Sequence, residues 1–370
     1  MQEFDFRIQA DPSRTCPVRI GHGVLDRLVR RLGERPLGHS IVLVADSNVA
    51  PLYAVPLKER LQKGSVEIHL LTFPAGEAHK TRETKGALED QLLALGVGRD
   101  ATIVAIGGGV TGDLAGFTAA TWHRGIPVIQ VPTTLLAMAD AALGGKTGVD
   151  LVGGKNLVGA FHQPLAIYAD VSTLETLPDA EFRAGFSEVI KSAVIADLDF
   201  FRWLEDSVGS LLQRDSEALE QAVTRCLRIK SRVVSRDERD EGRRAILNFG
   251  HTVAHALEAV SGYRISHGHA VGVGMVVEAR LAVETTGFPQ AHAKRLEGLV
   301  DTFGLPVVWP KEASPREVVA AARKDKKARA GEMRFALPRR LGRMPPGRQV
   351  TLRVDESRLR EILEGFARRT

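Results

Sequence analysis

The stretch A-T-I-V-A-I-G-G-G-V-T-G-D, residues 101–113, decides the predicted fold. Its first six residues are apolar or β-branched and predict a buried strand, and the residues after the glycines predict a helix. Gly107, Gly109 and Gly112 match G-x-G-x-x-G, a pattern whose glycines let the backbone approach a pyrophosphate. A plain tight turn is the alternative, since the acidic residue that usually follows about 20 positions later is absent from I-P-V-I-Q-V-P at 126–132.

The segments around this stretch alternate between strand-like and helix-like patterns. Helical spacing covers Thr84–Leu95, and apolar runs that predict strands begin at Ile41, Val66, Pro127 and Leu165. This alternation predicts a parallel sheet flanked by helices. Asp46, at the end of the run that begins at Ile41, is an alternative ligand for the ribose of a dinucleotide.

From residue 179 onward the sequence predicts helices, several of them separated by Gly or Pro. The helical patterns cover residues 179–206, 215–239, 246–261, 268–286 and 290–304. We therefore expect two domains, an α/β parallel-sheet domain at 1–178 and an all-helical domain at 179–370.

Composition indicates an ordinary globular protein, with 44% hydrophobic and 26% charged residues among 370. No apolar run approaches the roughly 20 residues that span a bilayer, so we expect no membrane partner. Cys16 and Cys226 form no disulfide framework, and the N-terminus has no secretory pattern, so we expect a cytoplasmic protein. The net charge of +5 arises from a basic segment at residues 323–370, without a nucleic-acid-binding motif. We therefore expect small anionic ligands and no nucleic acid.

Histidines cluster in N-F-G-H-T-V-A-H and S-H-G-H-A, between residues 248 and 270. His251 and His255 are four residues apart and share one face of a helix, and His267 follows them. One carboxylate would complete a two-His, one-carboxylate metal site with open positions, and Glu188 is the candidate. Helix-face histidines with local hydrogen bonds are the alternative. For Glu188 itself, the alternative is a surface ion pair with Lys191, three residues on.

A glycine-rich segment from Asp140 to Phe161 contains Lys146, Lys155 and Asn156. Two lysines and an amide beside flexible backbone suit a phosphate or a polyhydroxylated anion, although the P-loop pattern is not met. Solvated surface lysines are the alternative. The basic run R-K-D-K-K-A-R from Arg323 suits closure over an anion or a solvated charged surface.

Taken together, these segments resemble the 3-dehydroquinate synthase family over nearly the whole chain. The resemblance begins at A-D-S-N (from Ala45) and ends at D-K-K (from Asp325). The most specific motifs are V-P-T-T-L-L-A (from Val131), G-G-K-T-G (from Gly144), G-K-N-L-V-G-A-F-H-Q-P (from Gly154), S-E-V-I-K (from Ser187) and N-F-G-H-T (from Asn248).

The resemblance implies a Rossmann-like N-terminal domain that binds NAD and a helical C-terminal domain. It also implies one divalent metal ion, usually zinc and sometimes cobalt. The implied activity is that of a phosphate-eliminating carbon–oxygen lyase, which converts 3-deoxy-D-arabino-heptulosonate 7-phosphate to 3-dehydroquinate and phosphate in the shikimate pathway.

The resemblance also implies roles for individual residues. The implied metal ligands are Glu188, His251 and His267. The implied NAD-binding positions are Asp46, Glu77, Lys80, Gly107, Gly108, Gly109, Asp113, Thr133, Thr134 and Lys155. The implied catalytic and substrate positions are Arg124, Asp140, Lys146, Asn156, Lys191, Lys230, Arg244, Asn248, His255 and Lys326. The arginine that matches Arg124 reaches across a dimer in this family, which implies a homodimer.

Several positions depart from the family's usual sequence, including A-D-A-A-L-G-G-K from Ala139, where V-D-S-S-V-G-G-K is usual. His269 and Asp240 stand where glutamate is common, and Asp150 stands where asparagine is common. If a helix begins at His267, His269 is rotated about 200° from it, so we expect His269 at a helix start and not on the metal.

Three other functions remain open. A sibling sugar phosphate cyclase would act on sedoheptulose phosphate or glucose 6-phosphate, but such a substrate has no carboxylate for both Lys230 and Arg244 to bind. A metal-dependent polyol dehydrogenase would release NADH. A binding protein without catalysis would have no need of the three implied metal ligands.

Overall fold

The computed structural model of the chain describes residues 1–8, 11–34, 37–62, 66–324 and 332–368. These residues form two compact units. The first unit comprises Met1–Leu177 and Leu219–Leu227, and the second comprises Pro178–Ala218 and Arg228–Thr370. The first of these divisions falls between Leu177 and Pro178, one residue before the boundary expected from the sequence.

A mostly parallel sheet of seven strands forms the centre of the first unit. The strands of this unit are, in chain order, β1 (Gln2–Ile8), β2 (Asp11–Gly21), β3 (Ser40–Asp46), β4 (Glu67–Phe73), β5 (Ala101–Gly107), β6 (Val128–Pro132), β7 (Lys146–Leu151), β8 (Gly154–Phe161) and β9 (Ala166–Asp170). The order in the sheet is β1-β2-β9-β6-β5-β3-β4, and only β1 runs antiparallel to its neighbour. The predicted parallel sheet is therefore confirmed.

Helices cover both faces of this sheet. They are α1 (Val24–Glu34), α2 (Val55–Leu61), α3 (Arg82–Ala94) and α4 (Gly109–Thr121). Successive residues of β3 point to opposite faces, as the pleat requires. Ile41 and Leu43 pack in a cluster with Leu28 of α1, whereas Val42 and Val44 pack in a cluster with Leu114 of α4. Since both faces are buried, β3 reads as a continuous apolar run in the sequence.

The second unit is helical. Its helices, including α8, part of which belongs to the first unit, are α5 (Asp179–Ala196), α6 (Leu198–Asp206), α7 (Val208–Leu212), α8 (Ser216–Arg236), α9 (His251–Val260), α10 (His267–Thr285), α11 (Gln290–Thr302), α12 (Pro315–Lys324) and α13 (Glu356–Ala367). A pair of two-residue strands, β10 (Arg334–Phe335) and β11 (Leu352–Arg353), accompanies them. Among the described helices, none is long and apolar enough to cross a bilayer.

Two predicted helices are shorter than the sequence pattern indicated. The helix expected at 179–206 is broken at Asp197, whose carboxylate accepts a hydrogen bond from the backbone N–H of Phe200 (2.9 Å) and caps α6. The helix expected from residue 246 begins only at His251, because Gly250 adopts a left-handed conformation (φ 83°) after a short 3₁₀ helix at Arg243–Asn248. The second break matters for the site, since it makes His251 the first residue of α9.

The glycine-rich segment that contains Lys146 and Asn156 is a β-hairpin, so the expectation of flexible backbone there is wrong. Strands β7 and β8 pair antiparallel, with Thr147 opposite Ala160 and Val149 opposite Val158. Glycines are needed because the strands approach closely: a Cβ on Gly148 would lie 2.7 Å from the carbonyl oxygen of Val158.

Candidate active site

Glu188, His251 and His267 come together in the second unit. Glu188 lies in the middle of α5, whereas His251 and His267 are the first residues of α9 and α10. The Nε2 atoms of His251 and His267 lie 3.3 and 3.6 Å from Oε1 of Glu188, and one donor atom from each residue lies within 4.8 Å of the other two. Two imidazole nitrogens and one carboxylate at this spacing are a donor set that fits a divalent ion such as zinc.

Charge near the cluster keeps Glu188 ionised. Burial alone would raise the pKa of Glu188, but the ammonium of Lys191 and the imidazole of His251 outweigh it and hold that pKa well below its usual range. Lys191 forms an ion pair with Glu188, and both side chains are about 1% exposed. A carboxylate that stays ionised while fully buried is an available ligand for a cation.

The two histidines differ in protonation. Burial and the charge of Lys191 lower the pKa of His251 to about 4, so its imidazole is neutral. Burial would also lower the pKa of His267, but the carboxylates of Glu188 and Glu258 outweigh it and raise that pKa to about 9. Entry of a metal ion would therefore displace a proton from His267.

The second ring nitrogen of each histidine is also held. Nδ1 of His251 lies 3.2 Å from the carbonyl oxygen of Phe249, and Nδ1 of His267 lies 3.4 Å from Oε2 of Glu258. Such contacts fix the ring orientation and leave Nε2 toward Glu188. Glu258 was missed in the sequence, although it follows His251 by seven residues and lies on the same face of α9.

His255 lies beside the cluster. Its ring centroid is 5.6 Å from that of His251 and 6.3 Å from that of His267. His269 is the third residue of α10 and lines a different cavity of about 440 Å³, together with Glu181 and Arg264. The departure from the family sequence at His269 therefore places no imidazole on the metal cluster.

The remaining residues predicted in the second unit are mostly buried cations. Lys230 and Arg244 are 6% and 2% exposed, and Asn248 ends the 3₁₀ helix before α9. Asp237, which the sequence analysis missed, accepts hydrogen bonds from the backbone N–H groups of Gly242 (2.9 Å) and Arg244 (2.8 Å). This carboxylate holds the loop that carries Asp240 and Arg244. Lys326 lies outside the described residues.

In the first unit, the glycine turn lies between β5 and α4. Gly107 ends the strand, Gly108 precedes the helix and Gly109 is its first residue. A Cβ on Gly107 would collide with the hydroxyl of Thr111, and a Cβ on Gly108 would lie 3.1 Å from Cγ2 of Thr134. The N-terminus of a 13-residue helix behind such a turn fits a pyrophosphate.

Neighbouring strands bring other predicted residues to the same edge of the sheet. Asp46 ends β3, and Thr133 follows β6, both strands adjacent to β5. Oδ2 of Asp46 accepts a hydrogen bond from Oγ1 of Thr111 (3.2 Å), and Oδ1 accepts from the backbone N–H of Asn48 (2.9 Å). The carboxyl edge of a parallel sheet is where open α/β folds bind nucleotides.

Lys80 is the buried centre of a polar network. It is 4% exposed and donates hydrogen bonds to Oδ2 of Asp113 (2.5 Å) and Oδ1 of Asn156 (2.6 Å). Burial would lower the pKa of Lys80, but Asp113 and Glu77 outweigh it and raise that pKa. Lys155 extends the network through an ion pair with Glu77 (3.2 Å). Five residues predicted from three motifs therefore lie together.

The hairpin residues surround this network. Asn156 has a left-handed conformation (φ 52°), and its backbone N–H donates to Oδ1 of Asp150 (2.7 Å). Asp150 thus makes a bond that the amide oxygen of an asparagine would also make. Lys146 begins β7, and Asp140 lies in a short helix at Ala137–Ala141. Arg124 is exposed and has φ 68°, at the end of a short 3₁₀ segment at Trp122–Arg124.

Two family models match consecutive parts of the chain. The model of the 3-dehydroquinate synthase N-terminal domain matches residues 70–184, and that of the C-terminal domain matches residues 185–328. A 3-dehydroquinate synthase of Desulforamulus reducens is 45% identical over 339 residues, 91% of this chain and 94% of the relative. That of Xylella fastidiosa strain M23 is 46% identical over 354 residues, 94% of each chain.

Solved structures with other activities share the fold at lower identity. A 2-deoxy-scyllo-inosose synthase complexed with carbaglucose-6-phosphate, NAD⁺ and Co²⁺ has a TM-score of 0.89 and 28% identity, covering 99% of this chain and 100% of the other. The 2-epi-5-epi-valiolone synthase of Streptomyces hygroscopicus, with NAD⁺ and Zn²⁺ bound, has a TM-score of 0.86 and 28% identity over the same shares. The family models and the more similar relatives agree, and the chain belongs to the 3-dehydroquinate synthase family.

Proposed function

We propose that this chain is a 3-dehydroquinate synthase that converts 3-deoxy-D-arabino-heptulosonate 7-phosphate to 3-dehydroquinate and inorganic phosphate in the shikimate pathway. The observation that carries this proposal is the identity of 45–46% with synthases of that name over more than nine-tenths of the chain. The sugar phosphate cyclases of other names share only 28% identity. Lys230 and Arg244, both largely buried cations, suit the carboxylate that the heptulosonate carries.

The proposed cofactors are NAD and one divalent metal ion, zinc or cobalt. Glu188, His251 and His267 would hold the ion, which would supply Lewis-acid polarisation of a substrate oxygen. The proposal is supported by the ionised Glu188 and the neutral His251, both suited to coordination. The N-terminus of α4 with the glycine turn, together with Asp46 and Thr133, would bind NAD, which would supply reversible hydride transfer without net oxidation.

The substrate chemistry follows from these parts. Once one secondary alcohol of the substrate has been oxidised to a ketone, the neighbouring C–H is acidic. Phosphate then leaves by elimination. The departing phosphate itself takes the proton, and the ketone is then reduced back to the alcohol by return of the same hydride. Ring opening and an internal aldol reaction afterwards close the carbocycle. Lys146, Asn156 and Lys326 would hold the phosphate, and Lys191 would keep Glu188 ionised beside the reacting oxygens.

Phosphate release tests this function. We expect release from the heptulosonate phosphate, loss of release with a chelator, and recovery with zinc or cobalt. A sibling cyclase would instead release phosphate from sedoheptulose 7-phosphate or from glucose 6-phosphate. It would leave the heptulosonate phosphate untouched. A polyol dehydrogenase would accumulate NADH, which would be seen as a steady increase in absorbance at 340 nm. Either outcome would overturn the proposal.

We also propose a cytoplasmic homodimer in which Arg124 reaches the partner subunit. The left-handed backbone at His123 (φ 49°) and Arg124 (φ 68°) supports a functional role for this exposed segment, since few non-glycine residues adopt that conformation. Cys16 and Cys226 are buried free thiols, which suits a reducing compartment. Sedimentation analysis of the wild type and of Arg124→Ala tests the dimer. Full activity of a monomer would contradict the role of Arg124.

A further inference from the structure

Glu278 is a fully buried carboxylate that the proposed reaction does not use. It lies on α10 and is 0% exposed. Its Oε2 accepts a hydrogen bond from the backbone N–H of Gly250 (2.7 Å), and its Oε1 accepts from those of Thr252 (3.1 Å) and Val253 (3.2 Å). Glu278 therefore binds the backbone on both sides of His251.

The first turn of α9 needs this carboxylate because its own cap has no side chain. The first N–H groups of a helix have no partner within the helix, and Ser, Thr, Asp or Asn usually supplies one from the cap position. Gly250 occupies that position here. A carboxylate at a helix N-terminus also gains from the helix dipole and from charge-assisted hydrogen bonds.

Glycines bring α10 close enough for Glu278 to reach. Gly274 lies one turn before Glu278, and a Cβ at Gly274 would collide with the carbonyl oxygen of Gly250. A Cβ on Gly250 would in turn lie 2.7 Å from Cγ of Met275, and its φ of 83° already favours glycine. Gly250 thus offers no side-chain cap of its own, and Gly274 lets α10 approach closely enough for Glu278 to supply the cap.

We propose that Glu278 is a positioning residue for the metal ligand His251. His251 is the first residue of α9 and lies between two residues whose N–H groups Glu278 holds. Its backbone is therefore fixed before any ion arrives, with Nε2 3.3 Å from Oε1 of Glu188. This inference rests on the proposed metal site at Glu188, His251 and His267.

Zinc affinity of Glu278→Gln tests the inference. The amide keeps the shape of the side chain, but it has one acceptor oxygen, and its NH₂ group would face backbone donors. We expect zinc binding 10–100-fold weaker than in the wild type, the usual effect of losing a residue that orients a ligand. Competition with a chromophoric chelator measures it. The cobalt-loaded variant should also show an altered visible absorption spectrum, because that spectrum reports ligand geometry.

Leu281→Ala is the matched control. Leu281 lies on the same helix and is 0% exposed, so its truncation destabilises the packing of α10 but removes no hydrogen-bond acceptor from the first turn of α9. We expect this control to keep wild-type zinc affinity and the wild-type cobalt spectrum. If both variants lose zinc equally, or if Glu278→Gln keeps wild-type affinity and spectrum, the positioning role is wrong.

The same experiment separates this inference from the proposed function. A wild-type chain that binds no zinc or cobalt would overturn the proposed metal site and the inference with it. A wild-type chain that binds zinc as tightly as Glu278→Gln does would overturn the inference alone. If Glu278→Gln does not fold, Glu278→Asp replaces it under the same criterion, since it keeps the charge but shortens the reach by one methylene group.

Discussion

Substitution of Lys80 by methionine should destabilise the first unit. Lys80 donates to Asp113 at 2.5 Å and to Asn156 at 2.6 Å while being 4% exposed. Methionine preserves the length of the side chain and removes the charge. The variant therefore leaves a carboxylate and an amide oxygen without the donor that serves both of them.

The expected magnitude follows from the burial of Lys80 and from the partial exposure of its two partners. Losing one partner of a fully buried ion pair costs about 3–5 kcal/mol. The side chain of Asp113 is 23% exposed and is partly solvated by water after the substitution, which reduces this loss. We expect Lys80→Met to lower the free energy of unfolding by about 2–4 kcal/mol, and the coupling energy with Asp113→Asn to be about 1–2 kcal/mol.

Native-state hydrogen exchange of the β5 amides measures this change. These amides report the first unit by itself, which is necessary because two compact units need not unfold together. The assay is run on the wild type, both single variants and the double variant. Lys58→Met on α2 is the control, with an expected change within about 0.5 kcal/mol. A loss below about 0.5 kcal/mol for Lys80→Met, or zero coupling, would refute the argument that this network stabilises the unit.

Three further predictions concern single groups. The pKa of Lys80 is raised in the folded state, so its contribution to stability is complete at pH values below the unfolded-state pKa, near 10.5. This contribution is lost as pH rises through the folded-state pKa. Alkaline unfolding of the wild type, but not of Lys80→Met, should show this loss. Glu188→Gln should lose its stoichiometric zinc by elemental analysis, whereas Glu181→Gln, on the exposed part of α5, should retain it. His269→Glu should raise the free energy of unfolding by about 0.5–1 kcal/mol, because it completes a capping box with Ser266, whose Oγ is buried without a hydrogen-bond partner. His269→Gln should give part of that gain. Loss of metal in either variant would contradict the placement of His269 at the helix start.

Local patterns in the sequence predicted the parts of the site that are formed by residues close to one another along the chain. The strand–glycine–helix stretch at 101–113 and the histidine spacing are short-range signals, and the structure has β5, α4 and the start of α9 there. Lys80 and Asp113 lie on different elements, Lys80 just before α3 and Asp113 on α4, and only the family resemblance indicated that they belong together. Propensity and periodicity contain no information on which buried charges meet.

Other elements were missed for physical reasons. Glu258 and Glu278 resemble solvent-facing acids of a helix in the sequence, but both are buried in the structure, where α9 packs against α10. The glycines that the close approach of β7 and β8 requires interrupt the alternation of apolar and polar residues that marks a hairpin in the sequence. For β1 the signal was present, because Phe4, Phe6 and Ile8 alternate with polar residues, and Phe6 and Ile8 are buried.

The position of each proposed metal ligand along its helix determines which changes in chain length the site can tolerate. His251 and His267 begin their helices, so residues inserted or deleted in α10 after Glu278 leave both of them where they are. Glu188 is preceded by two and a half turns of α5, and one residue inserted there would rotate it by about 100° and shift it by about 1.5 Å. Homologues and engineered variants should therefore accept indels near the end of α10, whereas the spacing from Asp179 to Glu188 should stay at nine residues.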